Sequence, residues 1–124
     1  MFLLMTLVVS SADAASKVRR KVVDEGGSGP YKAGAREEKS FPDAVIYKPM
    51  DLKAASAAGK LPVLVFANGG CNDTSLPHER MLTEVASRGY IVIALGSMQF
   101  DINDRPLKKS PNEQMAAAMD WIIA

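Results

Sequence analysis

Residues 61–95, LPVLVFANGGCNDTSLPHERMLTEVASRGYIVIAL, constrain the fold of this chain more than any other stretch. They open with an apolar, branched run at 61–67, the kind that forms a strand buried on both faces. Asn68-Gly69-Gly70 then turns the chain and leaves backbone N–H groups unobstructed by side chains. A helix is expected next. Asp73 or Ser75 can cap it, Pro77 suits its first turn, and Gly89 can adopt the left-handed conformation that stops it. Met81, Leu82, Val85 and Ala86 fall on one face of that helix. Residues 90–95 read as a second buried strand, and a crossover of this length makes it parallel to the first. The product is a βαβ unit with a small-residue loop at the carboxyl end of its first strand, where open α/β sheets bind ligands.

The flanks add smaller pieces. Residues 44–48 (AVIYK) form a strand candidate closed by Pro49, and residues 31–36 a weaker one. The two can pair as an antiparallel edge hairpin across 37–43. Residues 51–60 read as a loop or a single helical turn. After Leu95, residues 96–109 are an irregular connection containing Asp101, Asp104 and Arg105. Ser110-Pro111-Asn112-Glu113 then spells a capping box with proline at the first helical position. Met115, Ala118, Met119 and Ile122 would be the apolar stripe of the helix it starts, with Trp121 adding bulk. That pattern runs to Ala124 with no glycine, proline or polar cap, so the sequence-based expectation is a domain cut short.

At the other end, residues 2–9 are apolar but far short of the roughly 20 residues that span a bilayer. Ala12-Asp13-Ala14 follows as a small-x-small cleavage site, so residues 1–14 are expected to be an export signal, though no Lys or Arg precedes the apolar run. A secreted or periplasmic protein follows, with no membrane attachment once the signal is removed. Residues 15–40 are then a polar extension with a candidate edge strand. Its basic cluster, Lys17, Arg19, Arg20 and Lys21, reads as a solvated tether. Gly26-Gly27-Ser28-Gly29-Pro30 reads as a turn or linker. Ser28 is not a nucleophile elbow, because Pro30 stands where Gly-x-Ser-x-Gly needs its second glycine and no buried strand precedes it.

The 15 basic and 14 acidic side chains leave a net charge of only +1, which gives no basic face for nucleic acid. Cys71 is the only cysteine, so no internal disulfide can form. A Cys71–His78 dyad would need hydrogen-bond reach and a third, orienting group. His78 is better read as a solvated first-turn residue and Cys71 as a small residue in a tight loop. One histidine and one cysteine, without carboxylates at ligand spacing, make no metal site. No Gly-x-Gly-x-x-Gly and no Gly-Lys-Ser/Thr is present, so neither a dinucleotide nor a nucleotide cofactor is expected. Asn72-Asp73-Thr74 fits a glycosylation sequon but also ordinary loop and cap chemistry.

Asn68-Gly69-Gly70-Cys71 therefore keeps three readings on its residues alone. It can be an oxyanion loop with the Gly70 and Cys71 N–H groups aimed at a developing negative charge. It can be a phosphate-binding turn at a helix N-terminus. Or it can be a tight turn that uses glycine for geometry alone.

The order of these pieces resembles the N-terminal part of an α/β-hydrolase, nearest to secreted esterases of the dienelactone-hydrolase and cutinase-like type. The residues that carry the likeness are AVIYKP, LPVLVFANGGC, LTEVASRGYIVIALGSM and EQMAAAMDWI, with GGSGPYK ahead of them. The resemblance implies an α/β fold: an incomplete hydrolase sheet made of the edge hairpin, the parallel βαβ unit and a further helix, over residues 41–124. It sets Asn68-Gly69, as loop support, where the family has His-Gly, and makes Gly70 and Cys71 the first side of the oxyanion hole. The implied chemistry is acyl transfer through a serine on a small or polymeric carboxylic ester. The nucleophile, acid and histidine come later in the family's order and are not among these residues, so the chain by itself is expected to be inactive and prone to self-association. The alternative from another class is a noncatalytic secreted module that uses the same βαβ half for binding.

Overall fold

The structure is a computed structural model that describes residues 18–23 and 26–124; the apolar run at 2–9 and its cleavage site lie outside them. The elements, in chain order, are β1 (Arg20–Lys21), β2 (Ala33–Glu38), β3 (Phe41–Pro49), α1 (Leu52–Ala55), β4 (Val63–Phe66), α2 (Glu79–Ser87), β5 (Ile91–Leu95) and α3 (Glu113–Ile123). The strands form one mixed sheet in the order β1-β2-β3-β5-β4, with β4 and β5 parallel and every other pair antiparallel. This is an α/β arrangement, with a helix on each face of the sheet.

Strand alternation sorts the core onto those two faces. Val45, Tyr47, Val92 and Ala94 point to the side covered by Leu82 and Ala86 of α2. Ala44, Ile46, Ile93 and Leu95 point to the side covered by Ala118 of α3, with Trp121 and Ile122 packed beside it. Trp121 stacks on Phe41 at 5.6 Å and donates its ring N–H to the Ser40 hydroxyl at 2.9 Å, so α3 is pinned to the β2–β3 turn. That turn is shorter than expected: the hairpin closes at Lys39-Ser40, with Glu38 opposite Phe41 and a bulge between Arg36 and Glu38.

Several expectations need correction. The run at 61–67 yields only β4, and its Val63 and Leu64 are 43% and 38% exposed instead of buried on both faces. The physical reason is position: β4 is the edge strand, and α2 lies over β2, β3 and β5 instead of over β4. The same lateral placement rotates the buried stripe of α2 to Leu82, Thr83, Ala86 and Ser87, leaving Met81 half exposed. Asp73 and Ser75 do not cap this helix; a 3-10 turn at Leu76–His78, with Pro77 inside it, leads into it. The Ser75 hydroxyl instead meets the Tyr47 hydroxyl at 2.9 Å, and the phenol is pushed up to about 12, chiefly by burial. The capping box at 110–113 does not form either, because the Ser110 N–H is drawn to the Cys71 carbonyl and Asn112 makes no side-chain cap. On α3, Met115 and Met119 of the expected stripe are 36% and 53% exposed, since the helix reaches only β3, β4 and β5.

The polar N-terminal extension is part of the architecture. Arg20 and Lys21 pair with β2, so the hairpin is not the sheet edge. Lys21 ion-pairs with Glu79 of α2 at 2.7 Å, and Arg19 donates to the Met98 carbonyl at 2.6 Å. The glycine-rich turn wraps the last turn of α2. The Ser28 hydroxyl and N–H both donate to the Glu84 carboxylate, at 2.5 and 2.7 Å, and Gly29 N–H donates to the Ser87 hydroxyl at 3.0 Å. The Ser28 hydroxyl, its N–H and the Arg88 guanidinium lower the Glu84 carboxyl from 4.5 to about 2. A depressed carboxyl stabilises the fold fully above its unfolded value and loses that contribution as pH falls through the folded one. Glu84→Gln should therefore flatten the fall of the melting temperature between about pH 4.5 and pH 2. Parallel melting curves for the two proteins across that window would contradict the clamp.

Candidate functional site

The chain leaves β4 through Ala67 and enters the loop at Asn68, whose side chain is buried. Its amide donates to the Asn72 carbonyl at 2.9 Å and to the Leu95 carbonyl at 2.6 Å. One side chain thus closes the loop on itself and ties it to the last residue of β5. Between these anchors Gly69–Cys71 form a single 3-10 turn in which Gly70 (φ 65°, ψ 18°) and Cys71 (φ 55°) are both left-handed. Glycine accepts that conformation without strain; Cys71 holds it only because its neighbours are fixed.

A strap built from residues 105–110 fixes them. The Asp73 N–H donates to the Lys108 carbonyl at 3.0 Å, and the Ser110 N–H donates to the Cys71 carbonyl at 2.7 Å. The Asp73 carboxylate takes the Lys108 N–H on one oxygen at 2.8 Å and Arg105 on the other at 2.7 Å. Arg105 also donates to the Asp73 carbonyl at 2.7 Å. Burial works to raise the Asp73 carboxyl, but the Lys108 N–H and the guanidinium overcome it and hold the group below its ordinary value. Lys109 completes the strap by donating to the Gly70 carbonyl at 2.5 Å.

What the loop offers to solvent is backbone. Gly69, Gly70 and Cys71 are exposed. The Cys71 N–H donates to the Asn68 carbonyl at 3.1 Å, within the turn. Among the described residues the Gly69 and Gly70 N–H groups meet no acceptor. The Lys109 ammonium beside them makes the surroundings of those donors electropositive. Two buried polar atoms near the loop, Asn68 Oδ1 and Ser110 Oγ, also have no hydrogen-bond partner. The arrangement can receive a negative charge through backbone donors. It carries no nucleophile–base pair: Cys71 Sγ lies 3.9 Å from Asn112 Oδ1, while His78 packs edge-on against Phe66 at 5.3 Å. Among the described residues no cluster of three metal-ligating side chains occurs, and no helix is long and apolar enough to cross a membrane. Thr74, the third residue of the sequon, is buried, and its hydroxyl accepts the Leu76 N–H at 3.2 Å.

Asn68, Gly69, Gly70 and Cys71 lie in the one loop where the sequence places them. The strap is what sequence reasoning missed. Lys108-Lys109 was the available signal, but an irregular connection carries no periodicity that shows which loop it covers. Comparison of the chain with protein-family models, with curated proteins and with solved structures finds no match.

Proposed function

We propose that residues 68–71 are the oxyanion loop of a secreted serine hydrolase acting on carboxylic esters, of the α/β-hydrolase type that the sequence resembles. The observation that carries this reading is that Gly70, exposed in the loop after β4, has an N–H with no acceptor among the described residues and Lys109 alongside. In acyl transfer a serine oxygen attacks the ester carbonyl, and the carbonyl oxygen gains the negative charge that preorganised donors stabilise. Gly70 is the donor already available; Cys71 becomes one only if its N–H leaves the Asn68 carbonyl. The serine elbow, the acid and the histidine are not among these 124 residues. On this reading they lie on a further parallel strand and its neighbours, and the edge of β4, open among the described residues and half-exposed on its faces, suits such a strand.

Two measurements test this. The 124-residue chain should hydrolyse 4-nitrophenyl butyrate no faster than buffer; turnover removed by Cys71→Ala would replace the serine with a thiol. The coding sequence beyond Ala124 should continue in frame into an apolar strand and Gly-x-Ser-x-Gly, and a stop codon there would overturn the proposal. In that longer product Gly70→Pro, which deletes the N–H and cannot hold a φ of 65°, should cost about 100-fold or more in kcat. Gly70→Ala keeps the N–H and its methyl has room, with only Asn72 Nδ2 at 3.7 Å and Lys109 Nζ at 3.9 Å, so the left-handed strain should cost about 1–2 kcal/mol of stability while the folded variant retains most activity.

A further inference from the structure

The sheet face on the α3 side is covered only in part. α3 reaches β3, β4 and β5 but not β2 or β1. The register places Arg20 directly opposite Arg36, and Gly34 opposite Lys48. Because strand side chains alternate, Gly34, Arg36 and Lys48 share one face with Ile46, and Arg20 joins them. The face that begins as apolar core beneath α3 therefore continues outward as three cations.

Among the described residues those cations are poorly neutralised. Glu38 is the single carboxylate among the described residues that meets them: its Oε1 lies 2.9 Å from Arg36 Nε and 3.7 Å from Lys48 Nζ. The buried Arg36 Nε is nevertheless not aligned for a hydrogen bond, so Glu38 balances its charge without satisfying the donor. Arg20 has no carboxylate partner among the described residues. Like charges directly opposed across two strands destabilise the pair. The neighbouring Lys48 ammonium is lowered by burial first and then by Arg36, against a partial counter-effect from Glu38.

Between these groups lies a cleft of about 150 Å³. Its floor is Gly34, where no side chain rises, and Val22 and Met50 stand over it, 3.6 and 3.8 Å from where a Cβ would be. Both are more than half exposed. Arg20 and Arg36 thus stand at one end of the cleft, Val22 and Met50 at the other, and Lys48 lies across from Gly34 between them.

We infer that this cleft binds a small amphipathic carboxylate, a short-chain fatty acid, with its carboxylate between Arg20 and Arg36 and its tail against Val22 and Met50. Arginine matches a carboxylate in two-point geometry, and the anion would remove the repulsion that Glu38 leaves. The tail covers apolar surface that is otherwise in water. The cleft lies on β1, β2 and the last residues of β3, at the end of the sheet where β5 begins, whereas loop 68–73 follows the end of β4 beside Leu95. The inference therefore stands apart from the hydrolase reading.

The test uses the whole chain with hexanoate, hexanol and inorganic phosphate as probes, read by thermal shift and by calorimetry. Hexanoate at millimolar concentration should raise the melting temperature, as any ligand of the native state does, while hexanol and phosphate each do so far less. Arg20→Gln should weaken hexanoate binding about tenfold or more. Because it relieves the opposed arginines, it should leave the unliganded melting temperature unchanged or higher, which a merely structural arginine would not do. No binding of hexanoate, equal binding of hexanol, equal binding of phosphate, or undiminished binding to Arg20→Gln would each overturn the inference.

Discussion

Gly96→Ala is expected to abolish cooperative folding of this chain, while the same change at Gly89 is expected to cost only about 1–2 kcal/mol. The two glycines have nearly the same φ, 99° and 94°, so an alanine meets positive-φ strain at each. Their surroundings differ. A Cβ at Gly89 would meet the Tyr31 ring at 3.6 and 3.8 Å, ordinary contacts. A Cβ at Gly96 would sit 2.1 Å from both the carbonyl carbon and oxygen of Asp73 and 2.8 Å from its Cα. Those are backbone atoms, and Arg105, Lys108 and the strap hold them in place. Gly96 itself is tied down by its N–H bond to the Asp43 carbonyl at 2.7 Å. Neither side can yield without releasing the loop that carries Gly70. Urea unfolding of the two variants checks this, and equal losses of stability would show that backbone strain alone decides both positions.

The second large effect concerns the state of association. Among the described residues β4 has a strand on one side only, and its VLVF segment contains no charge, proline or bulge to discourage pairing. Beside it, Met115, Met119 and Ile123, spaced to lie along one side of α3, are 36%, 53% and 77% exposed. Uncovered apolar surface next to an unpaired edge favours strand addition from a second copy. The 124-residue chain is therefore expected to self-associate at micromolar concentration in light scattering. Val63→Lys places a charge on the edge at a position already 43% exposed, so it should shift the population to monomer at a stability cost within about 1 kcal/mol. A wild-type chain that stays a monodisperse monomer would remove the argument. Persistence of the oligomer in Val63→Lys would move the contact away from β4.

The resemblance to an α/β-hydrolase and the structure bear on different things. The structure describes a mixed sheet with β4 and β5 parallel at one side and an antiparallel hairpin at the other. Oxyanion chemistry at Gly70 is the proposal that this arrangement supports. Cys71 illustrates how the loop refines the expectation: its N–H is already engaged by Asn68, whereas that of Gly70 is open.

The sequence by itself determined whatever depends on near neighbours along the chain. The branched run before Asn68-Gly69-Gly70, the helix ended by a left-handed Gly89, the strand after it and the AVIYK strand were legible because strand period, helix period and glycine conformations are local properties. So was the loop, since its two glycines follow a strand directly. Only the tertiary structure decided which faces those elements bury. Met81 and Thr83 exchange places between core and surface because α2 sits over β2 and β3 and not over β4. Asp73 and Ser110 look like caps in sequence, yet the Asp73 carboxylate is claimed by Arg105 and the Ser110 backbone N–H by the Cys71 carbonyl, both distant in the chain. Ser28 looks like linker and becomes a clamp because Glu84, far along the chain, turns its carboxylate toward it. Capping and turn residues have short side chains that bond whatever donor or acceptor is nearest, and which group that is depends on the whole fold.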